Sequence, residues 1–197
     1  MAWLDLDRWD VPALAAAWRA VAPFPHVVVD DAVGGARLAR LRDAAGREPH
    51  RRQWGELYEL RASAAPPSAA ELRGLIDELG APTTVAAVEA ITGHPVSGVE
   101  AQTYVYEAGC YLLPHTDNGR GRRVSFALYL ATDAEGGELD LYACRLDGGT
   151  VTEARVAATV ASRADRLVLF DVSPASLHRV REVTAGRRVS LAGWFLA

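Results

Sequence analysis

The sequence predicts an α+β domain in which N-terminal helices support a sandwich or barrel of short strands. Two observations carry this expectation. Apolar residues recur at helical spacing through the first half, and from Val99 onward they alternate in twos. The period changes once, near residues 93–98, an order that suits an α+β chain. Residues 11–21 place Leu14, Trp18 and Val21 on one helical face, and 33–46 repeat the pattern with Leu38, Leu41 and Ala45. A short strand, 27–29, lies between them. Ser68 and Glu71 form a capping box that opens a helix through Leu79, stopped by Gly80 and Pro82, and Thr83 or Thr84 starts another that ends at Gly93. Strands follow at 102–106, 124–130, 138–142, 154–160, 166–170 and 189–195, with Gly and Asp turns. No repeat or linker interrupts the chain, so 1–197 is expected to be one domain. Residues 1–97 supply helical support and a substrate-entrance segment, and 98–197 supply the stranded core.

Half of the 197 residues are hydrophobic, 23% are charged and the net charge is −4, the composition of an ordered, soluble domain. All 21 basic residues are arginine. The lack of lysine excludes a phosphate-loop lysine, a Schiff-base lysine and a pyridoxal anchor. Most of the arginines reflect a GC-rich codon bias. Cys110 and Cys144 form no Cys-x-x-Cys pair and read as small core residues of a reduced, cytoplasmic protein. The acidic N-terminus is unlike a signal peptide, and no apolar run approaches the roughly 18 residues of a membrane span, so no membrane partner is expected. Scattered arginines and an acidic balance argue against nucleic acid.

His115 and Asp117 stand two apart at a strand end, which sends imidazole and carboxylate to the same side. A lone His-x-Asp arises by chance. His178, after the apolar strand at 166–170, can return to the same mouth of a barrel and supply a third ligand. Two histidines and a carboxylate on one face of a metal leave positions open, as in non-heme iron(II) oxygenases. Ten residues after His178 comes Arg188, which shares a strand face with Ser190, Ala192 and Trp194, while Val189, Leu191, Gly193 and Phe195 face the helices. An arginine pointing into a barrel needs an anion. A dicarboxylate that chelates iron at one end and meets a guanidinium at the other supplies it. Tyr129 shares its face with the small Ser125 and Ala127, and Tyr104 and Tyr106 share a face from which they too can bond the acid.

These residues resemble the iron(II)- and 2-oxoglutarate-dependent oxygenases, in the prolyl-hydroxylase-like branch. The marks run from Val99 to the C-terminus: Tyr106 through Gly109 to His115-Thr-Asp117, then Arg123-Val-Ser-Phe-Ala-Leu-Tyr129, Gly136-Gly-Glu-Leu, Asp165-Arg-Leu-Val-Leu-Phe, and His178 with Val180, Val183, Gly186, Arg188 and Trp194. Phe24-Pro25-His26 resembles the N-terminal part of the family. Two positions depart from it: Glu182-Val183 stand where a proline is common, and Ala131-Thr132 where an asparagine is. The resemblance implies a double-stranded β-helix (a jelly-roll, cupin-like barrel) with iron held by His115, Asp117 and His178. It also implies 2-oxoglutarate bound through Arg188 and Tyr129, with Ser190 as an additional hydroxyl. The implied reaction consumes O2 and hydroxylates an unactivated C–H of proline, another amino acid, a peptidyl residue or a small metabolite, releasing succinate and CO2, with ascorbate as an assay component. Asp117 argues against halogenation. The alternatives are desaturation or cyclisation, or an iron and 2-oxoglutarate sensor that turns nothing over. A zinc hydrolase on the same triad would leave Arg188 without a purpose.

His26, His50 and His94 read as surface or packing residues, and Trp3, Trp9 and Trp18 as core. Glu138 and Asp140 read as solvated acids beside Tyr142. The segment 47–67 lacks a clear period and, with Trp54, is expected to line the substrate entrance. Arg120 and Arg122 follow the metal ligands and are candidates, with Trp54 and Trp194, to contact substrate. The sequence does not settle an oligomeric state.

Overall fold

The computed structural model describes residues 2–119 and 121–197. Four helices precede or interrupt the first strands: α1 (Val11–Ala20), α2 (Gly35–Arg47), α3 (Ala70–Leu79) and α4 (Pro82–Thr92). The strands are β1 (His26–Asp30), β2 (Arg51–Trp54), β3 (Tyr58–Ala62), β4 (Gly98–Glu107), β5 (Tyr111–His115), β6 (Arg122–Thr132) and β7 (Glu135–Gly136). They continue with β8 (Leu139–Asp147), β9 (Thr150–Val160), β10 (Arg166–Asp171), β11 (His178–Val180), β12 (Val183–Ala185) and β13 (Arg187–Leu196). All pairings are antiparallel, in the order β1-β10-β6-β13-β4-β3 and onward through β5-β11-β8-β9, with β2 on β3 and β7 on β12.

Alternation along the long strands builds two interiors at once. From β6, Val124, Phe126 and Leu128 join Leu191 and Phe195 of β13 in a core covered by Leu41 of α2, Leu72 and Leu75 of α3 and Val88 of α4. The intervening residues, Ser125, Ala127 and Tyr129 on β6 and Arg188, Ser190 and Trp194 on β13, line a cavity on the other side. Its far wall is Leu112 and His115 of β5, Leu139 of β8 and His178 of β11. The six strands expected from the sequence are all present, most of them longer than expected.

Several expectations need correction. Ser68 does not cap α3: its Oγ donates to Glu48 Oε1 at 2.9 Å, and the Ala69 N–H donates to the same oxygen, so a carboxylate just beyond α2 closes the helix end. α4 starts at Pro82 rather than at a threonine, because proline already has helical φ and no N–H to satisfy, and it ends on Gly93 at φ +74° as expected. The aperiodic 47–67 segment contains the β2–β3 hairpin. Both faces of β2 are exposed, which erases any apolar alternation. Asp140 is fully buried, not solvated, because Arg179 of β11, Arg181 just past that strand and Thr159 of β9 converge on it at 2.7 to 2.9 Å. Cys110 is buried as expected, whereas Cys144 is half-exposed; both are free thiols. Among the described residues no helix is long and apolar enough to cross a membrane.

Candidate active site

β5 ends on His115 and β11 begins on His178, and the register sets the two opposite each other, with ring centroids 4.3 Å apart. Asp117, two residues past the strand, places its Oδ1 3.6 Å from His115 Nε2 and its Oδ2 3.6 Å from His178 Nε2. One ligand atom from each of the three lies within 4.8 Å of the others, a set that could hold a metal ion. The second ring nitrogens are committed. His115 Nδ1 donates to the Leu113 carbonyl and His178 Nδ1 to the Ser176 carbonyl, each at 2.9 Å, which leaves both Nε2 lone pairs facing the centre. Ser125 Oγ donates to Asp117 Oδ2 at 2.6 Å. Burial opposes ionisation of Asp117, but the neighbouring imidazoles of His115 and His178 and the Ser125 hydroxyl hold the carboxyl well below the usual range. Burial, reinforced by repulsion from His115, pushes His178 down to about 4, so it is a neutral donor at physiological pH.

Across the cavity, Arg188 is 3% exposed. Its Nη1 donates to the Gly137 carbonyl at 2.7 Å, and its guanidinium carbon lies 4.8 Å from the ring centres of both Tyr106 and Tyr129. No carboxylate pairs with it among the described residues. Arg188 Nε, Tyr129 Oη, Ser190 Oγ and Trp194 Nε1 are all buried without a hydrogen-bond partner. All four residues line one cavity of about 110 Å3 that also contains the triad. Buried polar groups are rarely orphaned, so a cluster of them around a cavity beside a bare guanidinium marks the place of an anionic ligand. Gly136 and Gly137 make the clamp possible: both have positive φ, and a Cβ on Gly136 would meet the Glu182 carbonyl oxygen at 2.1 Å.

The remaining sequence candidates divide. Tyr104 and Tyr106 line the cavity, and Tyr104 Oη accepts from Gln102 Nε2 at 2.7 Å. Burial pushes both phenols up. Arg122 stacks on Trp194, 3.4 Å from the ring centre, and so sits against the cavity wall rather than in a free loop. Trp54 is 74% exposed on the β2–β3 hairpin and does not line the cavity. Arg120 lies outside the described residues. Three contributors escaped sequence reading: Ser125 as the Asp117 donor, Gly137 as the Arg188 acceptor, and Phe170, which packs edge-on to His178 at 4.7 Å. Ser125 was within reach of such reading, since it shares the Tyr129 face of β6.

The sequence pattern of the 2OG-Fe(II) oxygenase superfamily matches residues 101–196, a stretch that contains the triad and the Arg188 clamp. The stretch 101–196 belongs to this superfamily. The family implies iron(II), 2-oxoglutarate and O2, in keeping with a donor set here that could hold a metal ion. The chain is 37% identical over 119 residues to prolyl 3,4-dihydroxylase OGFOD1 of Ostreococcus tauri, covering 55% of this chain and 23% of that one. It spans less than a quarter of the length of the curated relatives it matches. A prolyl-4-hydroxylase from Pseudomonas putida superposes with a TM-score of 0.67 at 22% identity, covering 93% of this chain and 98% of that one. A prolyl hydroxylase from Trichoplax adhaerens, solved with a hypoxia inducible factor peptide fragment, gives 0.66 at 14% identity, covering 94% and 88%. These likenesses establish the double-stranded β-helix for the oxygenase fold.

Proposed function

We propose that the chain is an iron(II)/2-oxoglutarate-dependent dioxygenase that hydroxylates an unactivated C–H, with a peptidyl proline as first substrate. The observation that carries the reading is the unpaired, buried Arg188 facing a His-Asp-His set across one small cavity. The prolyl hydroxylases among its relatives, one of them solved with a peptide, support the choice of residue.

In this reading His115, Asp117 and His178 hold the metal through Nε2, carboxylate and Nε2. Arg188, Tyr129 and Ser190 donate to the distal carboxylate of the cosubstrate, which gives the orphaned groups their partners. Iron(II), 2-oxoglutarate and O2 together supply the oxidising power for the C–H bond, with succinate and CO2 as co-products. Tyr106 flanks the guanidinium, and Leu139, Phe170 and Val180 keep water from the cavity floor. Arg122, stacked on Trp194 at the cavity wall, is the substrate-facing group, and Trp54 on the exposed hairpin is a more distant contact for a long substrate. Two free thiols fit a reducing, cytoplasmic setting.

The test is succinate release by the purified chain with iron(II), 2-oxoglutarate and ascorbate, with and without short proline-containing peptides. Succinate release stimulated by a peptide that gains one oxygen is expected, and Asp117→Ala and His115→Ala abolish it. Stoichiometric 2-oxoglutarate binding with no succinate under any condition would overturn the catalytic reading in favour of a sensor.

A further inference from the structure

A cavity of about 530 Å3, larger than that of the metal site, adjoins it. It lies between α3, residues 65–66 and the start of β4, and it shares one wall with the metal site: the Trp194 indole lines both. Gln102 is a second link, since it lines this groove and donates to Tyr104 in the other cavity.

Four consecutive residues of β4, Val99 through Gln102, line the groove. Side chains alternate along a strand, so four in a row means that β4 presents its backbone edge there. That edge is open. β3 pairs β4 only at Tyr104 and Val105, Ser63 covers Thr103, and among the described residues no strand lies beyond 98–102 on that side. The groove has an apolar wall in Pro66, Ile76 and Val99, and it carries two carboxylates, Asp77 and Glu100, that have no partner among the described residues. Its one cation, Arg73, reaches the Ser68 carbonyl.

We propose that this groove binds the chain flanking the target residue of a peptidyl substrate. The segment adds as an extended strand to the free edge of β4 and sets a basic side chain against Asp77 and Glu100. Strand addition draws affinity from main-chain hydrogen bonds and selectivity from alternate side chains, and the shared Trp194 wall lets the target residue reach the metal cavity. The inference rests on the hydroxylase reading. It narrows the substrate from peptidyl proline in general to one with a cationic residue near the target.

The test uses fluorescein-labelled peptides with one central proline, flanked by alanine and by either arginine or glutamate, with binding to the full chain read by anisotropy. The arginine peptide is expected to bind about tenfold tighter than the glutamate peptide. The Asp77→Asn/Glu100→Gln double variant should erase that preference while its peptide-independent succinate release stays unchanged. Backbone N-methylation of the flanking residues should weaken binding by a similar factor. Equal binding of the two peptides, a preference that survives in the double variant, or indifference to N-methylation each overturns the proposal. Peptide binding with no succinate release in any assay overturns instead the hydroxylase reading on which it rests, so the two failures are distinguishable.

Discussion

Burying a guanidinium without a carboxylate costs several kcal/mol, and Arg188, with one bond to the Gly137 carbonyl, carries that cost until an anion arrives. Arg188→Met is therefore expected to raise the 2-oxoglutarate Michaelis constant by about 10- to 100-fold, the worth of charge-assisted bonds. Thermal stability of the ligand-free protein should hold or rise, since the uncompensated charge is gone. A drop in that stability with an unchanged Michaelis constant would assign Arg188 a purely structural role. Ser125 tests the other end of the cavity. Its hydroxyl orients Asp117, and Ser125→Ala should weaken metal binding about 10- to 100-fold, as loss of an outer hydrogen bond does elsewhere. Metal titration checks this. At this scale the triad and Arg188 were legible because strand alternation fixes which residues share a face. Asp140 was not, because its partners Arg179 and Arg181 sit on and just past the short strand β11, whose pairing with β8 leaves no periodic trace.

The Asp140 cluster anchors β11, the strand that begins with His178. Burial opposes ionisation of Asp140, and the bonds from Arg181, Thr159 and Arg179 outweigh it, holding the carboxyl below its ordinary range. A group whose folded value is depressed contributes stability that is present above the unfolded value and lost as pH falls toward the folded one. Stability should thus decline below about pH 4, and Asp140→Asn should flatten that decline. At neutral pH the same variant should cost about 2 kcal/mol, less than a fully buried pair, because the guanidinium side chains are 35% and 41% exposed. Denaturant titrations at several pH values measure both effects. The start of α3 gives a second element-scale prediction. Glu48→Ala should destabilise by about 0.5 to 2 kcal/mol, in the range of a lost cap, and Ser68→Ala by less. Ser68 and Glu71 have the spacing of a capping box, but Glu48, twenty residues upstream, wins the N-terminus because it accepts from both Ser68 and Ala69. Local spacing carries no sign of such a distant competitor.

Across the whole molecule, residues on both sides of positions 97 and 98 share one core. The outward face of β6 and β13 is closed by side chains from α2, α3 and α4, with Leu41, Leu72 and Leu75 fully buried. Residues 98–197 expressed alone should therefore fail to fold cooperatively, whereas the full chain should unfold in one transition, and Leu72→Ala should cost about 2 to 5 kcal/mol. The helices and long strands were readable from period alone. The two-sided cavity was readable only through the two residue sets that alternation sends inward, and the β2–β3 hairpin was hidden by its exposure. The His-Asp-His set and Arg188 are expected to hold two ends of one ligand. Anaerobic calorimetric titration of 2-oxoglutarate tests it directly, with the chain loaded with iron(II) or metal-free, and with Arg188→Met. The tightest binding is predicted with iron and wild-type Arg188, weakening by at least about tenfold when either is removed. Binding of equal strength without metal, or in the arginine variant, would contradict it.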